Sequence, residues 1–218
     1  MNLFNSLPHL LILLELDDVT GKSLQRDAIQ RHFGLTGAVL AELMWQERLI
    51  PAEANKFILR PGRPAVSGSL RLAEERLSET RPRTLQKSLQ RLRAGSIRKA
   101  VLSELVEEKM LDKQTSSFLV LFRRRRWVPT ENSPEQTYIE HLRQYVDQTG
   151  ADTPPQHEDL MLSLLRAVQL LETVWTESEL TSLRERIVLR TERAPIGRQV
   201  HQAVELTRAA MAAAAVTG

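Results

Sequence analysis

The sequence predicts a mostly helical single domain spanning residues 1–218, with at most one β-hairpin. Apolar residues recur at helical spacing in most segments, capping residues and prolines mark several helix starts, and the clearest strand signal is confined to one short segment. With 42% hydrophobic residues among 218, the chain can bury a sizeable core. Trp45 and Trp175 fall within helical apolar patterns and are predicted core residues.

The first third of the chain contains two predicted helices. Residues 10–16 form a short apolar segment, either a strand end or a buried helical turn. Apolar residues recur at helical spacing over residues 36–47 and predict a helix there. The prolines in residues 50–67 predict an irregular loop there, with a short strand at residues 56–59. A helix is predicted to follow over residues 68–78.

Several later helices are marked by their boundary residues. Thr84 is a predicted cap for a helix that ends at Gly95, and Ser96 is the predicted cap of the next one. Residues 160–174 are apolar nearly all round and predict one central buried helix. A capping box at Thr176 then opens another helix.

The hairpin is predicted within the sequence SFLVLFRRRRWVP. Residues 117–122 have the length and apolar character of a strand, and residues 127–129 are the predicted return strand. The tip between them would contain Arg123, Arg124, Arg125 and Arg126, with Phe122 and Trp127 on its flanks. Because four adjacent like charges repel one another, we expect this tip to face something anionic.

Composition limits the class of protein. The chain has no cysteine, which excludes disulfides, thiolate zinc sites and cysteine nucleophiles. Its start lacks the basic residues and the long apolar run of a signal peptide, and no segment approaches the ~20 apolar residues of a membrane span. We therefore expect a soluble protein that is not exported.

Positive charge is concentrated in the middle of the chain. The net charge is +3, but residues 81–126 hold 13 Lys or Arg against 4 Asp or Glu. A basic central region between acidic flanking regions predicts a surface that binds an anionic partner. A solvated charged face would have the same composition.

No catalytic constellation is recognisable in the sequence. The five histidines lack the i, i+4 spacing of a zinc-binding helix, and no serine lies in a G-x-S-x-G turn. The adjacent carboxylates of Glu107 and Glu108 lie among basic residues and are predicted to be solvated surface. We therefore expect a binding protein that is not an enzyme and that holds no metal or cofactor.

Two anionic partners fit the arginine run. For nucleic acid, GLTGAVLAELMWQERLI would be a helix of a winged-helix domain and the basic hairpin its wing. A lipid surface is favoured because Phe122 and Trp127 suit the zone where head groups meet acyl chains. Four arginines at roughly 1 kcal/mol each give only about millimolar affinity, so a second signal is required. An alternative role for the two aromatic residues is packing in the core or in a homo-oligomer interface made by the hairpin.

The order of five segments resembles the Golgi phosphoprotein 3 family, in a short, bacterial-type member without an acidic N-terminal tail. These segments are LLILLELDDVTGK, GLTGAVLAELMWQERL, LSELVEEKML, SFLVLF and HEDLMLSLLRAVQLLETVW, and the resemblance covers about residues 8–215. It implies a mainly α single domain with a four-helix core surrounded by further amphipathic helices and one β-hairpin, which is hydrophobic and faces the membrane.

The resemblance also implies a peripheral membrane protein that binds phosphatidylinositol 4-phosphate from the cytoplasmic face of a membrane. In a bacterial-type member, cardiolipin or phosphatidylglycerol would satisfy the same charges. A role as an adaptor in membrane protein sorting is implied as well, with a protein client that the sequence does not identify. Nucleic acid is then not expected as a partner.

The family's head-group pocket uses a tryptophan, an arginine and two later basic residues three positions apart. The matching positions here are Asp27, Thr36, Gly95 and Arg98, of which Arg98 alone keeps the family's residue type. The predicted lipid head-group-binding residues are Arg98, the adjacent Lys99, and Arg26 and Arg31, which flank the altered positions. The predicted membrane-contacting hairpin residues are the arginine run and its two flanking aromatic residues.

Overall fold

A computed structural model describes residues 6–60, 62, 65, 67–78, 81–118, 122–148 and 154–217, and for residues 115–118, 122–125 and 216–217 it describes the backbone. In this part of the chain the α-helices are α1 (Leu7–Glu15), α2 (Ala28–Trp45), α3 (Gly68–Leu77), α4 (Leu85–Arg91), α5 (Ala94–Glu107), α6 (Glu135–Asp147), α7 (His157–Ala167), α8 (Glu177–Glu192) and α9 (Pro195–Thr217). The predicted mainly α fold is confirmed. Among these helices, none is both long and apolar enough to cross a membrane.

Two small antiparallel sheets accompany the helices. The strands are β1 (Leu49–Ala52), β2 (Lys56–Leu59), β3 (Arg83–Thr84), β4 (Leu111–Phe118) and β5 (Phe122–Pro129). The first three form one sheet in the order β1-β2-β3, and β4 pairs with β5 in a separate hairpin. The prediction of at most one hairpin was therefore wrong, because β1 and β2 make a second one within the segment predicted as an irregular loop. Pro51 is tolerated there since β1 is an edge strand.

Helix α1 resolves the ambiguity over residues 10–16 in favour of a helix. Every residue from Leu7 to Glu15 is buried, and Pro8 occupies a position in the first turn, where its missing N–H costs no hydrogen bond. The helix packs against α2, α5, α6 and α7. A helix enclosed in this way must satisfy its polar groups from inside the protein.

Helix α2 is the centre of the core. It contacts α1, α5, α7 and α9, and all of residues 33–43 are buried. It begins at Ala28, eight residues before the predicted start, because the Asp27 side chain accepts hydrogen bonds from the backbone amides of Ile29 and Gln30.

The predicted helix over residues 160–174 is interrupted. Helix α7 ends at Ala167, and a 3₁₀ turn, Leu171–Thr173, follows. Between them Gln169 adopts a left-handed conformation with φ of 60°, and the Leu170 amide donates to the Leu165 carbonyl at 2.8 Å. This is the bond of a Schellman-type helix end, which an apolar pattern cannot reveal.

The boundary between α4 and α5 also differs from the prediction. The break falls at Leu92, which is buried and has extended backbone angles, so Gly95 lies in the first turn of α5 and does not end the helix before it. Ser96 is not the cap of α5, since its hydroxyl donates to the Arg93 carbonyl at 3.0 Å.

The hairpin is longer than predicted, and the arginines lie along its second strand instead of at its tip. Strand β4 runs from Leu111 to Phe118, and the pairing places residues 123–126 opposite residues 114–117. Continuous cross-strand pairing along β4 explains the difference, since the polar start of β4, LDKQTS, carries no apolar strand signal.

The two tryptophans predicted for the core behave differently. Trp175 is 3% exposed, as predicted, whereas Trp45 is 45% exposed, so its assignment to the core was wrong. Trp45 is the last residue of α2, in a turn that extends beyond the core, and its ring lies 5.4 Å from that of His157.

Gly197 is required by the packing of α9 on α7. A Cβ atom at this position would lie 2.3 Å from the Ser163 carbonyl oxygen, which is backbone and cannot move aside alone. Gly197→Ala should therefore destabilise the protein by about 2–3 kcal/mol, measured by urea unfolding. Gly95→Ala is the control, because its Cβ would meet nothing within 4 Å, and it should be neutral or stabilising by up to about 1 kcal/mol. Equal stability of the two variants would contradict the packing.

Candidate functional site

A cavity of about 350 Å³ lies between α5 and the base of the β4–β5 hairpin. Its polar lining includes three cationic side chains, those of Arg98, Lys99 and Lys113, and its apolar lining includes Leu102, Val106 and Trp127. The cavity thus places positive charge beside an apolar wall. Such a lining suits a ligand that has an anionic group joined to an apolar chain.

Arg98 has a structural partner as well as a place in the cavity. Its Nη1 atom donates to Oε2 of Glu15 at 2.9 Å, and the side chains are 26% and 3% exposed respectively. The pair joins the end of α1 to the first turns of α5. A guanidinium carries five N–H donors, so this bond leaves others for a ligand.

A polar chain links Arg98 to Arg31 through the segment between α1 and α2. The Ser23 hydroxyl donates to the Glu15 carboxylate and also lies 2.9 Å from the Gln25 carbonyl oxygen. That carbonyl accepts from Arg31 Nη1 at 2.7 Å, and Arg31 also donates to the Arg26 carbonyl at 3.1 Å. Arg31 therefore holds the backbone of this segment.

The same segment, residues 16–27, rests on the base of the hairpin. Gly21 has φ of +59°, and a Cβ atom there would lie 2.5 Å from the Trp127 carbonyl oxygen. Trp127 is half-buried and pairs with Lys113 across the hairpin, which brings both residues to the cavity. Glycine at position 21 permits both the left-handed conformation and the close approach.

The structure separates the predicted head-group residues into two groups. Arg98 and Lys99 line the cavity together with Gly95, whereas Arg26 and Arg31 do not line it. Arg26 is exposed in the segment before α2.

The other two positions matched to the family pocket have structural roles. Asp27 caps α2 and pairs with Arg208, whose hydrogen bond lowers the pKa of the Asp27 carboxyl. Thr36 is fully buried, and its hydroxyl donates to the His32 carbonyl at 3.0 Å. Neither position supplies the cavity with charge.

The predicted hairpin contacts are only partly placed. The backbone of Phe122, Arg123, Arg124 and Arg125 lies in β5, but their side chains are outside the described residues, so their contact with a membrane stays a prediction. Arg126 is exposed and lies opposite Gln114.

Lys113 is the site residue that sequence reasoning missed. The strand register could have identified it, because Lys113 lies directly opposite Trp127 in the hairpin. With the strand predicted to begin at residue 117, that pairing was outside the predicted hairpin.

A buried acid, Glu135, lies near the segment 16–27. Glu135, the first residue of α6, is 8% exposed, and burial together with the nearby Asp18 carboxyl raises the pKa of Glu135 to about 8. Glu135 is therefore mostly protonated at neutral pH. In the described part of the chain, no three His, Asp or Glu side chains are grouped so that they could hold a metal ion.

Breaking the Glu15–Arg98 pair should destabilise the fold. Arg98→Gln leaves a buried carboxylate without its cation, and we expect a loss of about 2 kcal/mol, below the cost for a fully buried pair because Arg98 is partly exposed. Glu15→Gln with Arg98→Gln should recover part of this loss in urea unfolding. Additive losses in the double variant would contradict a coupled pair.

Glu135 should make stability depend on pH. The folded state keeps a proton up to about pH 8, whereas the unfolded chain releases it near the ordinary carboxyl pKa of 4.5. The free energy of unfolding should therefore fall as pH rises from about 5 to 8, by at most about 1.4 kcal/mol per unit.

Glu135→Gln should remove this slope in urea unfolding measured at several pH values. Glu140→Gln, an exposed residue on the same helix, should retain it. A wild-type slope that persists in Glu135→Gln would show that another group is responsible.

A protein-family model matches most of the chain. The Golgi phosphoprotein 3 (GPP34) family model matches residues 7–207, which include all of the cavity-lining residues and the hairpin. A search of the curated proteins found no significant match. Because the matched region covers most of the 218 residues, the chain belongs to the Golgi phosphoprotein 3 family.

Proposed function

We propose that this protein is a non-enzymatic, peripheral membrane-binding protein that recognises anionic lipid head groups. The observation that carries the proposal is the cavity at the hairpin base, where Arg98, Lys99 and Lys113 lie beside an apolar wall that includes Trp127. Membership of the Golgi phosphoprotein 3 family supports a lipid-associated role.

The cavity and the hairpin supply two separate contributions to membrane affinity. Lys99 and Lys113 are exposed, and each basic residue near an anionic surface contributes roughly 1 kcal/mol. Because charge alone gives weak binding, apolar insertion by the hairpin is the second signal in this account. The segment 16–27 and its glycine at position 21 hold the hairpin base beside the cavity.

The head group that fits best carries a phosphate. Arg98 offers a planar fork of donors, and the two lysines offer compact charges that tolerate several head-group shapes. Phosphatidylinositol 4-phosphate and bacterial lipids such as cardiolipin or phosphatidylglycerol satisfy this chemistry. We further propose a cytoplasmic-face location, an adaptor role in membrane protein sorting, and a homo-oligomer formed through the hairpin.

The winged-helix alternative has less support. Its recognition helix would be α2, yet residues 33–43 of α2 are all buried in the core. A helix must be exposed to enter the major groove of DNA.

Liposome flotation tests the lipid proposal. Lys99→Gln with Lys113→Gln removes two of the three cavity cations, and we expect roughly 30-fold weaker binding to anionic vesicles. The matched control is Lys56→Gln with Lys87→Gln, which removes two exposed lysines of other elements and leaves binding near the wild-type value.

The same assay separates the other outcomes. Replacing the four hairpin arginines with serine should reduce binding further, and size-exclusion chromatography of that variant reports whether the hairpin also holds an oligomer. Equal flotation of the cavity and control variants, or tighter binding to duplex DNA than to anionic vesicles at the same salt, would overturn the proposal.

A further inference from the structure

A second cavity, of about 320 Å³, lies between α7, α8 and α9. It is lined by Arg166 from α7, Thr191 from α8, and Arg198 and His201 from α9. None of these elements contributes to the cavity at the hairpin base. The volume is within the range of cavities that hold small-molecule ligands.

The second cavity is lined by three basic side chains and by one acidic side chain, Glu192. Among the described residues, no carboxylate oxygen lies within 4.0 Å of the side-chain nitrogens of Arg166, Arg198 or His201, although Glu192 also lines the cavity. By contrast, Arg190 of α8 and Arg193, the residue after that helix, have an acidic partner, since Asp159 lies 3.9 Å from Arg190 and 3.6 Å from Arg193. Arg166, Arg198 and His201 are exposed, so their side-chain N–H groups are accessible to a ligand.

Arg166 is held in place by a neutral group. Its Nη1 atom donates to Oγ1 of Thr191 at 2.8 Å, and the Thr191 hydroxyl in turn donates to the Val188 carbonyl at 2.9 Å. Thr191 is 7% exposed, so the hydroxyl that accepts from Arg166 is held in one position by the surrounding protein. This arrangement orients the guanidinium and leaves its positive charge uncompensated.

The first turn of α9 adds to the positive potential. This helix has 23 residues and begins at Pro195, which lines the cavity along with Gly197. Amides in a first helical turn lack intrahelical acceptors, and the helix dipole is positive at that end. Its approach to α7 depends on Gly197, as described above.

We propose that this second cavity binds a phosphate ester. Two guanidinium groups, a histidine and the first turn of a helix are the groups that bind a tetrahedral, multiply charged anion in proteins. The volume admits an organic group in addition to the phosphate. The ester is either a soluble phosphorylated molecule or a lipid head group, and the site is separate from the cavity proposed to bind membrane lipid.

Isothermal titration of the full-length chain with inorganic pyrophosphate tests the proposal. Arg166→Gln with Arg198→Gln should weaken binding at least about tenfold. The control is Arg184→Gln, an exposed arginine on α8, which should bind like the wild type. Arg198→Gln alone keeps the Arg166–Thr191 hydrogen bond and should still weaken pyrophosphate binding. This single variant therefore tests the site even if the double variant does not fold. Wild-type protein that does not bind pyrophosphate, or variants that bind it unchanged, would overturn the site.

Flotation with phosphatidic acid vesicles identifies the source of the phosphate. If Arg166→Gln with Arg198→Gln loses both pyrophosphate and vesicle binding, the ligand is a lipid head group; if it loses pyrophosphate alone, the ligand is soluble. Lys99→Gln with Lys113→Gln should retain pyrophosphate binding, so failure of this site and failure of the proposed membrane function are distinguishable.

Discussion

The complete burial of α1 is the constraint on which much of the structure depends. Three polar groups enter the core with this helix, and each meets a partner from another element. The Leu7 amide donates to Glu42 at 2.8 Å, His9 lies 3.0 Å from Glu104, and Glu15 accepts from Arg98. Burial alone would raise the pKa of Glu104, but hydrogen bonds from His9 and Ser69 outweigh it and lower that pKa. These partners fix α2 and α5 around α1.

The same constraint shapes the candidate lipid site. Arg98 must neutralise Glu15, so it is a structural cation that also lines the cavity. The charges free to meet a head group are then mainly those of Lys99 and Lys113, which belong to α5 and the hairpin respectively. Affinity for anionic lipid is therefore linked to the position of the hairpin base, which Gly21 sets by its contact with Trp127.

The sequence predicts where most of the helices lie, because their apolar spacing is local, but several helix ends were predicted wrongly. The capping box at Thr176 opens α8 as predicted. The Thr176 side chain accepts from the Glu179 amide, and the Glu179 side chain accepts from the Thr176 amide. Features that depend on distant contacts were missed. The hairpin register, and with it Lys113, depends on cross-strand pairing, and the exposure of Trp45 depends on where the core ends. Arg98 was predicted as a ligand residue, but its bond to Glu15, 83 positions away, was not visible in the sequence.

The central claim is that an anionic lipid meets the cavity at the hairpin base. Tryptophan fluorescence of the Trp45→Phe variant tests it most directly, because Trp175 is buried and Trp127 is then the solvent-accessible reporter. Anionic vesicles should shift the Trp127 emission to shorter wavelength and reduce its quenching by acrylamide, whereas phosphatidylcholine vesicles should change neither. Flotation with anionic vesicles while the Trp127 emission and quenching stay unchanged would contradict the account.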